Sequence, residues 1–136
     1  MAKQINITVE NKLVIEERDL NVYHHAGRSA HMISYNSSVT LPLGAGAADD
    51  YLHVSIVNGP GHLKGRCVVN LPSWIDFEFS SRGDVTVARS GDRTLLKIPP
   101  GPPTWQLRMT RSPSSLTGKG PDRIIIGEEN AVHAPS

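Results

Sequence analysis

The sequence has one cysteine and few aromatic residues. Cys67 is the sole cysteine, and Phe, Trp and Tyr together make up 5% of the chain. A single cysteine excludes an internal disulfide, so the chain is not a small secreted domain held together by disulfides. The low aromatic content is thin for a dedicated platform on which sugars or bases stack. The 136 residues are nevertheless enough to bury a hydrophobic core without cross-links.

Long apolar runs are also absent. No stretch approaches the ~20 apolar residues that a membrane-spanning helix requires. The first twelve residues, "MAKQINITVENK", lack the apolar centre of a secretory signal. We therefore expect a cytoplasmic chain that has no membrane partner.

Helical periodicity is missing, and strand periodicity replaces it. No eleven-residue stretch spaces its apolar residues at i, i+3, i+4 and i+7, whereas Ile5, Ile7 and Val9 alternate with polar residues. About ten such short segments are separated by turn signals, which the 12 glycines and 10 prolines supply. The pattern predicts an all-β, single-domain antiparallel β-sandwich, with a small β-barrel or jelly roll as the alternative. The proline-rich segment 99–103 favours the sandwich, because it suits a chain that crosses from one sheet to another.

Composition sets the predicted domain limits. Residues 1–127 are predicted to form the sandwich, and 128–136 a disordered tail. The segment 111–121, "RSPSSLTGKGP", is rich in Ser, Gly and Pro and is predicted to be a linker-like loop.

The segment 79–93, "FSSRGDVTVARSGDR", contains the Arg-Gly-Asp sequence of cell-adhesion ligands and a second Gly-Asp. A three-residue loop at 81–83 would place Phe79 opposite Val85, with Gly83 at the position that favours a left-handed backbone. A two-residue Gly91-Asp92 loop would place Val87 opposite Leu96, whereas a Ser90-Gly91 loop would shift that register. The segment 74–98 is therefore predicted to be a three-stranded meander, in which both Gly-Asp pairs form turns.

Basic residues are concentrated in one part of the chain but do not cluster. Eight of the 14 Lys and Arg residues lie between positions 82 and 123, spaced singly. Such spacing is typical of a solvated surface, and no RNA-binding aromatic motif accompanies it. We do not expect a nucleic-acid partner.

Histidines are the candidate metal ligands. If residues 20–25 and 29–35 form a hairpin, His25 and His31 are the pair that could approach each other. They supply two ligands, and no HxH, HExxH or paired-cysteine spacing supplies the rest. The sequence therefore predicts no metal site and no cofactor, and a His-based metal-dependent enzyme remains only the further alternative.

No residue is predicted to be catalytic. The sequence has no Gly-x-Ser-x-Gly nucleophile motif. Cys67 shares its predicted strand face with Leu63 and Val69, which favours a buried structural role. We therefore expect the chain not to be an enzyme.

Binding is the function that the sequence favours. Trp74 is interpreted as the more exposed tryptophan, on the side of Asp76 and Glu78, and Arg82 and Asp84 lie at the predicted hairpin tip. These five residues are the candidate ligand-binding set. The predicted function is a binding or structural module that contacts a protein partner, or copies of itself, through loops or sheet edges. A carbohydrate-binding module that uses Trp74 is the alternative.

Overall fold

The protein is a sandwich of two β-sheets. The computed structural model describes residues 4–13, 18–44, 49–57, 67–80, 85–98, 106–112 and 123–128. Eleven strands account for most of them: Gln4–Lys12 (β1), Asp19–His24 (β2), Ser29–Ile33 (β3), Ser38–Gly44 (β4), Leu52–Val57 (β5), Cys67–Pro72 (β6), Ile75–Ser80 (β7), Thr86–Ser90 (β8), Arg93–Ile98 (β9), Gln106–Arg111 (β10) and Arg123–Glu128 (β11). The all-β sandwich prediction is confirmed, and the two sheets do not close into a barrel.

One sheet has six strands and the other has five. The six-stranded sheet has the order β4-β1-β11-β6-β9-β8, and the five-stranded sheet has the order β3-β2-β5-β10-β7. The described strand pairs are antiparallel except β1 and β11, which run parallel. A parallel pair needs a long connection, and here nearly the whole chain lies between its two strands.

The core lies between the sheets and is aliphatic. Period-2 alternation sends one set of side chains inward along each strand, such as Leu107 and Met109 on β10 and Leu20 and Val22 on β2, all fully buried. Burying each such side chain stabilises the fold by about 1.5–3 kcal/mol. Among the described residues no helix is long and apolar enough to span a membrane.

The chain crosses between the sheets at most of its connections. Of consecutive strands, only the pairs β2–β3 and β8–β9 lie side by side in one sheet. The β8–β9 register is the predicted one, with Val87 opposite Leu96 around Gly91 and Asp92. The strands before and after the proline-rich segment lie in different sheets, which confirms that the chain changes sheets there. Residues 99–105 themselves lie outside the described residues.

The predicted three-stranded meander over 74–98 is wrong. Strand β7 belongs to the five-stranded sheet and β8 to the other, so Phe79 lies opposite Leu107 of β10 rather than opposite Val85. The reason is that a strand with an apolar inward face can lie beside any other strand whose inward face is apolar. Apolar pairing within a hairpin therefore does not reveal a partner strand that is more distant in sequence. Residues 81–84, which include the Arg-Gly-Asp sequence, lie outside the described residues.

The predicted domain limits are not tested. Strand β11 runs through Glu128, whose side chain is buried. The remaining tail, 129–136, and most of the predicted linker, 113–121, lie outside the described residues.

Asn11 is a polar residue at a core position. It continues the inward series of Ile7 and Val9 and is fully buried. Its Nδ2 donates to the carbonyl oxygens of Arg18 at 2.7 Å and Ile33 at 2.9 Å. Its Oδ1 accepts the backbone N–H of Leu13 at 2.9 Å. Three side-chain hydrogen bonds thus satisfy the buried amide and join β1 of one sheet to the end of β3 in the other.

The main chain of Asn11 is also bonded, to the connection between β3 and β4. Its N–H donates to the carbonyl oxygen of Ser37 at 2.8 Å, and its carbonyl oxygen accepts the N–H of Asn36 at 2.7 Å. Asn36 has a φ of 64°, a left-handed conformation that asparagine tolerates better than most residues. Asn11 therefore fixes the place where the chain passes between the sheets.

Replacing Asn11 with leucine should destabilise the protein strongly. The N11L variant keeps the branching of the side chain but removes its three buried hydrogen bonds to Arg18, Ile33 and Leu13, so we expect a loss of roughly 3 kcal/mol or more in the free energy of unfolding. Denaturant unfolding followed by circular dichroism measures it. The control is N6A on the same strand, where Asn6 is exposed and the change should stay within about 0.5 kcal/mol. Equal stabilities for the two variants would contradict this account of Asn11.

The Gly91 turn should be sensitive to backbone strain alone. Gly91 has a φ of 61° and no atom within 4 Å of the position that a Cβ would occupy. We expect G91A to lower the free energy of unfolding by about 1 kcal/mol, because a left-handed backbone is costly for alanine. G91N should lose less, since asparagine tolerates this conformation. A stability for G91A equal to that of the wild type would show that the turn relaxes at no cost.

Candidate binding surface

The outward face of the five-stranded sheet carries most of its polar and aromatic side chains. The strand registers align residues of neighbouring strands into rows, and paired residues point to the same side. One row contains Tyr23, His53, Arg108 and Glu78, in the strand order β2-β5-β10-β7. We call the surface formed by this row and its neighbours the Tyr51 face; it comprises Tyr23, His25, Tyr51, His53, Asp76, Glu78, Gln106 and Arg108.

Tyr51 lies in the middle of a three-layer stack. The ring of His25 is parallel to the ring of Tyr51, with centroids 4.4 Å apart and an interplanar angle of 11°. The guanidinium carbon of Arg108 lies 4.1 Å from the Tyr51 ring centroid. Two groups cannot occupy the same space above one ring, so the imidazole and the guanidinium cover opposite faces. Tyr23 meets the edge of His25 at a centroid distance of 6.2 Å.

The backbone helps to hold the stack in place. The N–H of His25 donates to the carbonyl oxygen of Tyr51 at 3.0 Å, directly beside the ring contact. Stacking and cation–π contacts contribute about 0.5–1.5 kcal/mol each. The three side chains are thus arranged before any ligand arrives, which lowers the entropy cost of binding.

Acidic side chains border the stack. Asp76 and Glu78 are exposed on β7, and Glu78 lies directly opposite Arg108. Arg108 and Glu78 together line two neighbouring open depressions, one extending toward Asp76 and Thr110, the other toward Tyr51, His53 and Gln106. The surface therefore presents both signs of charge next to aromatic rings.

Of the five candidate ligand-binding residues, the structure places Asp76 and Glu78 in this surface. Trp74 was interpreted as the more exposed tryptophan, and this comparison is not tested because Trp105 lies outside the described residues. The side chain of Trp74 is half-buried and packs against the hydrophobic core, and the guanidinium carbon of the buried Arg111 lies 4.0 Å from its ring centroid. Trp74 belongs to the turn before β7, so strand alternation does not set the direction of its side chain. Arg82 and Asp84 lie outside the described residues.

The two candidate metal ligands lie on opposite sides of the sheet. His25 packs with Tyr51 on the outside, whereas His31 lies across from the buried Val22, on the inward side. The Nε2 of His31 is 3.0 Å from the Oγ of Ser29. Among the described residues no group of three or more His, Cys, Asp or Glu side chains is placed to hold a metal ion.

The neighbouring His24 has a structural role that the sequence did not reveal. It is buried, with its Nε2 2.9 Å from Oδ1 of the buried Asp50. The other oxygen of Asp50 accepts the backbone N–H of Gly44 at 2.7 Å. Because Gly44 ends a strand of the six-stranded sheet, the pair connects the two sheets. Period-2 alternation from Leu20 and Val22 already predicts an inward His24, and this is the signal that could have found it.

Tyr51, His53 and Arg108 were also missed. Alternation predicts that each points outward, but only the strand order β5-β10-β7 brings them together. Tyr51 directly precedes β5, His53 lies on β5 and Arg108 lies on β10, and a sequence without a known strand order cannot show that these two strands are neighbours.

A comparison of the chain with protein-family models, with characterised proteins and with solved structures finds no match.

Cys67 should not react as a nucleophile in the folded protein. It is buried on β6, and its burial, together with the negative charge of Glu128, raises the pKa of its thiol well above the ordinary value. The thiolate is the reactive form, so we expect no labelling of the native protein by an aromatic disulfide reagent at pH 8. One equivalent should react after denaturation. Rapid labelling of the native protein would contradict the buried placement of Cys67.

Proposed function

We propose that this chain is a non-enzymatic binding module that contacts a protein partner through the Tyr51 face. The observation that carries the proposal is the preformed stack of His25, Tyr51 and Arg108 beside exposed acidic residues. Tyrosine and arginine are enriched among the residues that dominate protein–protein binding energies.

The chemistry of the surface indicates what the partner presents. Asp76 and Glu78 offer exposed carboxylates on the edge strand β7, which favours a partner with lysine or arginine opposite them. The aromatic groups and the stem of Arg108 offer apolar contact next to these charges. A surface of this kind suits a mixed polar and apolar protein patch.

The packing of Trp74 and Tyr51 favours a protein partner over a carbohydrate. Sugars stack on exposed flat faces of aromatic rings. Both faces of Tyr51 are covered, and Trp74 packs against the core and Arg111. The carbohydrate alternative would require these contacts to open.

Reversing the charge of Arg108 should weaken partner binding. R108E removes the cation from the stack and places a third carboxylate beside Asp76 and Glu78. We expect the dissociation constant to rise about 30-fold or more, the effect of losing roughly 2 kcal/mol at a central contact. Proteins that bind to the immobilised wild-type chain are identified first. Titration calorimetry with the purified partner then gives the dissociation constant for the wild type and for R108E.

The matched control is R89E. Arg89 is also exposed and lies on β8 of the opposite sheet, so the same charge change occurs away from the Tyr51 face. This variant should bind like the wild type. Hydrogen exchange of the complex should show protection in residues 51–53 and 106–110. A partner that is lost with R89E but kept with R108E would contradict the proposed surface, and binding to a glycan panel would favour the carbohydrate alternative.

A further inference from the structure

The two sheets have four edge strands, and three of them carry features that discourage pairing with another chain. Proline, charged side chains and bulges are the usual protections of a sheet edge. Strand β4 contains Pro42, β7 contains Asp76 and Glu78, and β8 contains Arg89.

The fourth edge strand, β3, lacks these protections. Its sequence, "SAHMI", contains no proline and no Lys, Arg, Asp or Glu. Among the described strands β3 pairs only with β2, so none of the described strands lies beside its other backbone edge. Residues 30–34 and 37–39 line an open cleft between β3 and β4, so β4 does not cover this edge.

Exposed apolar side chains accompany the open edge. Met32 is 57% exposed, the largest value among the described large hydrophobic residues, and Tyr35, directly after β3, is 44% exposed. Ala30, on the same outward side as Met32, is also exposed. An unprotected edge with an exposed apolar side chain is the arrangement that pairs with an added strand.

We propose that β3 pairs antiparallel with β3 of a second copy of this chain, about a twofold axis through His31. The two five-stranded sheets would then form one continuous sheet of ten strands. This inference concerns a different surface from the Tyr51 face and does not depend on the proposed function.

The register follows from the strand itself. Paired residues must lie on the same side of a sheet, so an outward residue can pair only with another outward residue. Centring the pair on His31 uses all five residues of β3 and places Ala30 of each copy opposite Met32 of the other. The small alanine leaves room for the methionine side chain, and both apolar groups are removed from water.

The ends of the strand favour a second copy over an unrelated peptide. Arg28 precedes β3 and Tyr35 follows it, and both are exposed. Antiparallel pairing centred on His31 places Arg28 of one copy opposite Ser34 of the other, one residue from Tyr35, at both ends of the interface. A guanidinium and an aromatic ring attract each other, and the strands between them contain no Lys, Arg, Asp or Glu.

The test is the dependence of molar mass on concentration. In analytical ultracentrifugation we expect the molar mass of the wild type to approach twice the monomer mass as concentration rises. M32K should remain monomeric, because pairing would place two lysines close together on the joined sheet, beside the twofold axis. The matched control is V87K, which replaces another exposed apolar residue of an edge strand, 48% exposed, on β8. It should dimerise like the wild type.

A second experiment reports the register. A30C and M32C are prepared separately, oxidised alone, and oxidised as an equimolar mixture. The mixture should form a disulfide-linked dimer several-fold faster than either variant alone, since positions 30 and 32 face each other only across copies. The buried Cys67 does not compete.

Three results would overturn the proposal: a wild type that stays monomeric at the highest concentration reached, a dimer that survives M32K, or a dimer that V87K dissociates. Equal cross-linking rates for A30C, M32C and their mixture would overturn the register. The outcome for the Tyr51 face is separate, because R108E is tested for partner binding and M32K for molar mass.

Discussion

The buried amide of Asn11 is the interaction on which the arrangement of the two sheets depends. A sandwich whose chain crosses repeatedly between sheets leaves backbone groups at each crossing that no strand ladder satisfies. Asn11 satisfies three of them with one side chain and a further two with its own main chain. An aliphatic residue at this position would fill the space and leave these groups unbonded.

A second buried polar connection acts in the same way elsewhere. The pair of His24 and Asp50 links β2 of one sheet to the end of β4 in the other through the N–H of Gly44. Apolar packing is non-directional and holds the sheets together without specifying how they are aligned. The two polar connections are directional, so they fix the position of one sheet relative to the other.

The sequence predicted the parts of the fold that are local. Alternation identified the strands, and turn chemistry gave the β8–β9 register, because these two strands are neighbours both in sequence and in the sheet. The same reasoning was wrong for β7 and β8, because Phe79 lies opposite Leu107 of β10 and not opposite Val85. Apolar alternation says which side of a strand faces the core and does not say which strand lies beside it.

The candidate site shows the same limit. Asp76 and Glu78 were found because they lie on one strand, two residues apart, and alternation alone turns both outward. Tyr51 directly precedes β5 and Arg108 lies on β10, and the two meet only through the strand order of the sheet. Trp74 precedes β7 in a turn, so the alternation of that strand does not set the direction of its side chain. Sequence reasoning thus fails at strand ends and across strands, which is where this surface is built.

The open edge of β3 and the Tyr51 face belong to the same sheet, and this has a consequence for binding. Pairing at β3 would continue the five-stranded sheet into a second copy, so both Tyr51 faces would lie on the same side of one sheet. A partner with two contact sites would then bind the second face at a high effective concentration. Modest affinity at each face would suffice for stable attachment, because the second contact forms within an existing complex. The three protected edges would prevent further growth, so the assembly would end at two copies rather than continue as a fibre.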